Sequence, residues 1–326
     1  MRKLLLLLAV PLLALTACAT SRDEVAARDA GAGNTFAEPV TLTNCDMELT
    51  FTAPPQRIIS MNDHVTEVLL EMGLGDRIVG MGYGKATPLP QYAEQWQKIS
   101  KLADEYPTME QIIDAEADLV VGGLSSAFNE KEGRSRELMA EHEIPSFLFT
   151  EYCATTSFDL EMLRTDYTNL GKITGNTEAA DTLVEQVTGE MAAINKKVAG
   201  AEPVPTFIYD SGDKEVYTVG GVGVGNLILT QAGGKNLFAD GERPYSKTSW
   251  EQVAERSPEV IVVLDYGEQS AAEKIAFLKQ QPLMKTTPAI KNERIVVVPL
   301  DDFFESPRMT TSTRTIAEAL HPELVK

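Results

Sequence analysis

Apolar and polar positions along this chain fall into two recurring patterns. Short apolar runs, such as Arg57-Ile58-Ile59-Ser60 and Asp118-Leu119-Val120-Val121, have the length of strands buried on both faces. Between them, apolar residues recur every three or four positions. Val65, Val68, Leu69 and Met72 predict one such helix, opened by Asn62 or Asp63 and stopped at Gly73. The pattern further predicts strands over Met47–Thr52, Arg77–Gly80 and Pro145–Phe149, and helices over Glu130–Glu141 and Ser157–Gly171. Thr177–Ala199 reads as one long helical segment that would span about 34 Å. After Pro203 and Pro205 the alternation restarts. Strands are predicted over Thr206–Tyr209, Val216–Val219 and Arg294–Val298, and helices over Asn226–Ala232, Ala271–Gln280 and Met309–Leu320. Strands alternating with helices imply parallel sheets covered on both faces.

One phrase occurs twice. Thr108-Met109-Glu110-Gln111 leads to Asp118-Leu119-Val120-Val121, and Ser249-Trp250-Glu251-Gln252 leads to Glu259-Val260-Ile261-Val262. Each copy reads as a capped helix, a polar corner and a buried strand. Solenoid units repeat every roughly 20–50 residues, far less than this separation. The repeat predicts two similar α/β halves with Glu110 and Glu251 at equivalent positions. Helix-dipole placement explains either glutamate singly. It does not explain the match.

The N-terminus follows a separate logic. Arg2-Lys3, the apolar run Leu4–Ala14 and Leu15-Thr16-Ala17-Cys18 resemble a bacterial lipoprotein leader, too short to cross a bilayer as a stable helix. Cleavage before Cys18 would remove residues 1–17 and leave a lipid on Cys18. Residues 18–44 read as a flexible tether. Formal charge is -19, and loss of Arg2 and Lys3 makes it more negative still. Nucleic acid and anionic lipid surfaces both call for the opposite balance. Two cysteines then remain, in a compartment where disulfides persist. Their one possible pairing is Cys45–Cys153, and two separate buried thiols are the alternative.

The catalytic inventory is thin. There is no Gly-x-Ser-x-Gly elbow and no His-Glu-x-x-His. His142 and His321 are expected at exposed helix ends, which argues against a multi-histidine metal site. The run Gly220 to Gly225 lacks dinucleotide spacing and reads as a loop needing positive φ. The informative residues lie at the predicted carboxyl ends of strands, where open α/β sheets bind ligands. In the first half these are Asn62, His64, Tyr83, Lys85 and Tyr152. In the second they are Arg243, Tyr245, Tyr266, Phe303 and Arg308. Aromatic faces with a few cations suit a bulky polar or anionic organic ligand. His64 is a candidate axial ligand if that molecule is haem; otherwise no residue is expected to bind metal directly.

These features together resemble the iron-siderophore and cobalamin class of substrate-binding proteins of ABC importers. The likeness rests on Pro55-Gln56-Arg57-Ile58-Ile59-Ser60 with Thr66-Glu67-Val68-Leu69, on both Glu-Gln phrases and on the Cys18 motif, and covers residues 45–325. It implies an α/β fold: two Rossmann-like lobes with parallel sheets (45–175 and 201–326), joined by one long helix (176–200), with a ligand cleft between them. It implies a monomeric, lipid-anchored, extracytoplasmic binding protein with no permanent cofactor and no enzymatic activity. The expected cargo is a ferric siderophore; haem or cobalamin is the alternative. Glu110 and Glu251 fall where the family docks onto arginines of the permease dimer, which works with its ATPase subunits. A secreted enzyme would need a nucleophile–base pair in the cleft, and none is evident. An adhesin would need no matched glutamates.

Overall fold

The computed structural model describes residues 25–26, 35–154 and 156–325. The expected leader and Cys18 lie outside the described residues. Two lobes are present, each built on a parallel four-stranded sheet. Ile58–Ser60, Ile78–Met81, Leu119–Gly122 and Ser146–Leu148 form the first, in the order second, first, third, fourth. Val204–Tyr209, Gly234–Asn236, Val260–Asp265 and Ile295–Pro299 form the second, in the same relative order. Leu119–Gly122 is buried throughout, and Val260–Asp265 is buried up to its last residue. Helices on both faces explain why these runs are continuously apolar.

The twice-written phrase folds the same way in both lobes. Thr108 and Ser249 each cap a six-residue helix, Met109–Asp114 and Trp250–Glu255. Each helix leads into the third strand of its lobe. Asp118 N donates to Arg57 O at 3.0 Å, and Glu259 N donates to Pro205 O at 2.9 Å, so the third strand enters beside the first in both. Glu110 and Glu251 sit exposed in the first helical turns.

A single helix, Thr177–Val198, joins the lobes. Its buried stripe of Leu183, Val184, Val187, Met191 and Ile194 keeps helical spacing and packs against Leu160–Thr174 and Met309–Leu320. The apolar core runs from one lobe through these helices into the other.

Several expectations need correction. Val40–Asn44 is a strand paired with Met47–Phe51, so regular structure begins before position 45. Threonines and leucines alternate there and pair across a tight turn. The turn carries Cys45, disulfide-bonded to Cys153 with Cα atoms 5.6 Å apart. The helix expected over Glu130–Glu141 is confined to Arg136–Glu141, because Gly133 takes φ 68° and breaks it from the preceding turn. Val216–Val219 pairs antiparallel with Tyr245–Thr248, apart from the parallel sheet. The glycines at 220, 221, 223 and 225 do not have positive φ. They allow close approach instead: a Cβ on Gly221 would fall 2.0 Å from Ala239 O. His321 is buried, with Nε2 3.1 Å from Gly233 O, not exposed.

Candidate ligand-binding site

In both sheets the strand order reverses between the first and third strands, and the carboxyl ends of those strands frame the space between the lobes. A cavity of about 270 Å³ lies there. Leu124, Ser126 and Tyr152 line it from the first lobe; Asp210, Tyr245, Tyr266, Leu300 and Phe304 line it from the second. A second cavity of about 400 Å³ shares Tyr152 and Tyr245 with it and adds Glu151 and Arg243. A larger polar cavity of about 660 Å³ lies elsewhere, at the start of the connecting helix around Asn176 and Glu178. It holds none of the aromatic residues.

Tyr152, Tyr245 and Tyr266 therefore come together at one cavity, as the sequence predicts. Burial is the first cause that raises each of their pKa values, Tyr266 to about 12, so all three present neutral phenols. Arg243 lines the adjoining cavity and makes no ion pair among the described residues.

Asn62 stands one layer back. Its Oδ1 accepts Gly123 N at 3.0 Å and its Nδ2 donates to Tyr106 Oη at 3.2 Å, while Tyr106 and the cavity residue Ser126 share a 2.7 Å hydroxyl contact. His64 is buried, stacked on Phe304 of the opposite lobe at 4.7 Å between ring centroids. A Cβ on Gly123 would lie 1.9 Å from His64 Nε2, so only glycine admits the ring. Burial lowers the His64 pKa to about 3, leaving a neutral imidazole that packs the lobes together. Tyr83 and Lys85 belong to a loop pinned by Asp63, whose carboxylate accepts Gly84 N, Lys85 N and Ala86 N. Neither lines the central cavity.

Two further placements depart from expectation, besides those of Asn62, His64, Tyr83 and Lys85. Phe303 is fully buried in the core, and its neighbour Phe304 lines the cavity. The single turn of 3-10 helix Leu300–Phe303 sets which of the two rings faces inward. Arg308 does not line the cavity either. Its Nε and Nη2 each donate to Glu67 at 2.6 Å, its Nη1 to Asp302 at 3.2 Å, and Nη2 also to Thr87 O.

Sequence reasoning missed Leu124, Ser126, Asp210, Leu300, Phe304 and Lys274. The strand-end rule would have found Asp210, which directly follows Val204–Tyr209. Lys274 carried no signal, because it sits within a helix of mixed composition. Its Nζ donates to Leu264 O at 2.6 Å and Asp210 O at 2.8 Å, and lies 4.1 Å from the Tyr266 ring centroid. It ties the ends of two strands to the ring that walls the cavity.

Buried carboxyls cluster beside this site. Glu151 accepts Val224 N of the other lobe at 2.9 Å. Asp166 accepts Thr150 N at 2.6 Å and Thr150 Oγ1 at 2.5 Å. Glu305 is buried with both carboxyl oxygens unpartnered among the described residues. Burial is the first cause that raises Glu151 and Asp166 to about 7 and lifts Glu305 well above its ordinary range. Among the described residues, no three His, Cys, Asp or Glu side chains gather in a metal-binding arrangement.

Residues 58–301 match the periplasmic binding protein family. The chain belongs to that family. It is a solute-binding protein rather than an enzyme, and its family works outside the cytoplasm with the permease and ATPase of ABC importers. It is 27% identical over 208 residues to a vitamin B12-binding protein of Vibrio campbellii, covering 64% of this chain and 70% of that one. It is 25% identical over 304 residues to an uncharacterized ABC transporter substrate-binding lipoprotein of Bacillus subtilis, covering 88% and 87%. Among solved structures, a periplasmic binding protein from Veillonella parvula superposes with TM-score 0.78 at 24% identity, over 87% of this chain and 98% of that one. An ABC-type Fe3+-hydroxamate transport protein from Saccharomonospora viridis superposes with TM-score 0.72 at 22% identity, over 87% and 99%. No helix among the described residues is long and apolar enough to cross a membrane.

Proposed function

We propose that this solute-binding protein captures a corrinoid of the vitamin B12 type between its lobes and delivers it to an ABC importer. The observation that carries the reading is the central cavity. Three neutral tyrosines and Phe304 wall it from both lobes, and no Lys or Arg is among its described lining residues. Such a wall suits a broad, uncharged surface rich in amide groups. The relative named as a vitamin B12-binding protein supports the same choice. The ferric-siderophore expectation stood on Lys85, Arg243 and Arg308 as cations together with the tyrosines as aromatic walls. Arg308 is committed to Glu67, and Lys85 lies on the Asp63 loop. Arg243 remains in the adjoining cavity and favours the siderophore as the second reading.

Calorimetric titration of the purified protein with cyanocobalamin, ferrichrome and haemin tests this. Micromolar or tighter binding of cyanocobalamin alone supports the corrinoid. Binding of ferrichrome alone replaces it with the siderophore, and haemin alone with haem.

Delivery would use Glu110 and Glu251. Both are exposed, and both open a capped helix ahead of the third strand of their lobe. Exposed ion pairs contribute only about 0–1 kcal/mol each. Two pairs at a set separation would orient the encounter more than tighten it. A lipid on Cys18 would hold the chain, as a monomer, at the membrane surface.

A further inference from the structure

Asp210 is the only carboxylate among the residues lining the central cavity, and it is 8% exposed. Its surroundings leave that carboxylate underused. Ser211 Oγ donates to Oδ2 at 3.0 Å. Lys274, the buried cation nearby, donates to the main-chain oxygen of Asp210 and to Leu264 O. The ammonium thus fixes the strand ends and underlies the Tyr266 ring without a hydrogen bond to the acid. A carboxylate offers about four acceptor sites. Ser211 fills one, and the neighbouring Tyr266 phenol can fill a second. The capacity left over borders the cavity, where no Lys or Arg lines the wall to meet it.

We infer that Asp210 is a specificity determinant that selects ligands presenting hydrogen-bond donors, such as a primary amide or an ammonium, over ligands presenting a carboxylate at the same place. The inference rests on the cavity being the ligand site and adds the chemistry that the site accepts. A donor from the ligand would complete the coordination of a buried acceptor. A ligand carboxylate there would face the like charge of Asp210, and the nearest cation, Lys274, is engaged by the Asp210 and Leu264 main-chain oxygens. Tyr152 and Tyr245 can donate or accept and so do not discriminate. Asp210 does.

Paired probes test this. Cyanocobalamin is compared with its monocarboxylic acids, each having one peripheral amide hydrolysed. Ferrioxamine B, which carries an ammonium arm, is compared with its N-succinyl derivative, which carries a carboxylate. Affinities are measured for the native chain and for Asp210→Asn, with thermal melting to show that the variant is folded. The expected result in whichever pair binds is a preference of roughly tenfold or more for the donor-bearing member, reduced to about threefold or less in Asp210→Asn. Equal binding of both members, or a preference that survives in Asp210→Asn, overturns the role of Asp210. If only the ferrioxamine pair binds and shows the preference, the corrinoid reading falls and Asp210 stands. Binding by neither pair overturns both.

Discussion

Arg308 of the second lobe grips Glu67 of the first through two hydrogen bonds of 2.6 Å, with the glutamate side chain only 2% exposed. Leu89 N adds a third bond to the same carboxylate. The pair is a clasp across the cleft. Removing one partner leaves a buried charge unmatched, at a cost of about 3–5 kcal/mol. Arg308→Ala is therefore expected to lower stability by about that amount in urea melts, whereas Arg308→Met with Glu67→Leu and Asp302→Asn, which also neutralises the second partner of Arg308, costs much less. A single variant that melts like the native chain would show that the clasp contributes nothing.

The buried carboxyls set a pH dependence. Glu151 and Asp166 bind their protons more tightly in the folded chain, at about pH 7, than their ordinary ranges near 4.5 and 3.8. A carboxyl raised in this way stabilises the fold fully below its unfolded pKa, and the contribution is lost as pH rises through the folded value. Burial of His64, which lowers its pKa to about 3, works in the opposite sense below about pH 6.5, so stability is expected to fall between about pH 6.5 and pH 8, by an amount on the order of 1–3 kcal/mol. Glu305→Gln, which removes the unpartnered neighbour, is expected to flatten the profile and raise the melting temperature at pH 8. Thermal melts across that range check both statements, and a profile that rises with pH contradicts them.

Glu110→Ala combined with Glu251→Ala is expected to reduce uptake at least tenfold in cells while leaving ligand affinity of the purified protein unchanged. Each single variant is expected to retain part of the activity, since two exposed pairs act mainly by orienting the encounter. Unchanged uptake in the double variant removes both residues from docking.

The Cys45–Cys153 bond closes a loop with a sequence separation of 108 residues. Losing a crosslink over such a loop costs about 2–5 kcal/mol. Cys45→Ser with Cys153→Ser is expected to lower the urea midpoint accordingly, and mass spectrometry of a non-reduced digest should recover the two peptides linked.

What could be read from the chain, and what could not, divides along physical lines. Hydrophobic period and caps located the alternating elements, and the repeated Glu-Gln phrase anticipated two similar α/β halves, which the structure shows sharing one strand order. The strand-end rule found Tyr152 and Tyr266, which follow Ser146–Leu148 and Val260–Asp265, while Tyr245 was read from its place ahead of the Glu251 helix. Phe303 and Arg308 follow Ile295–Pro299, but the Phe303 ring enters the core and the guanidinium turns to Glu67. In the sequence Glu67 stands out only within the Thr66–Leu69 phrase, with no partner assigned. Its partner lies 241 positions later, and no local period encodes that pairing. Lys274 was invisible for the same reason: its two carbonyl partners are brought to it only by the sheet.

Cys153 follows directly after Glu151 and Tyr152, so the bond that holds the N-terminal hairpin also borders the wall of the cavity they line. The chain ahead of Cys45 is joined to the fold through the hydrogen bonds between Val40–Asn44 and Met47–Phe51, through the Asn44 side chain to Leu148 and Arg136, and through sulfur into the segment bearing Tyr152. The covalent route cannot fray. A leash attached upstream would load the first sheet at Leu148 and the Tyr152 segment together, so tension on it would reach the space between the lobes as well as the sheet behind it.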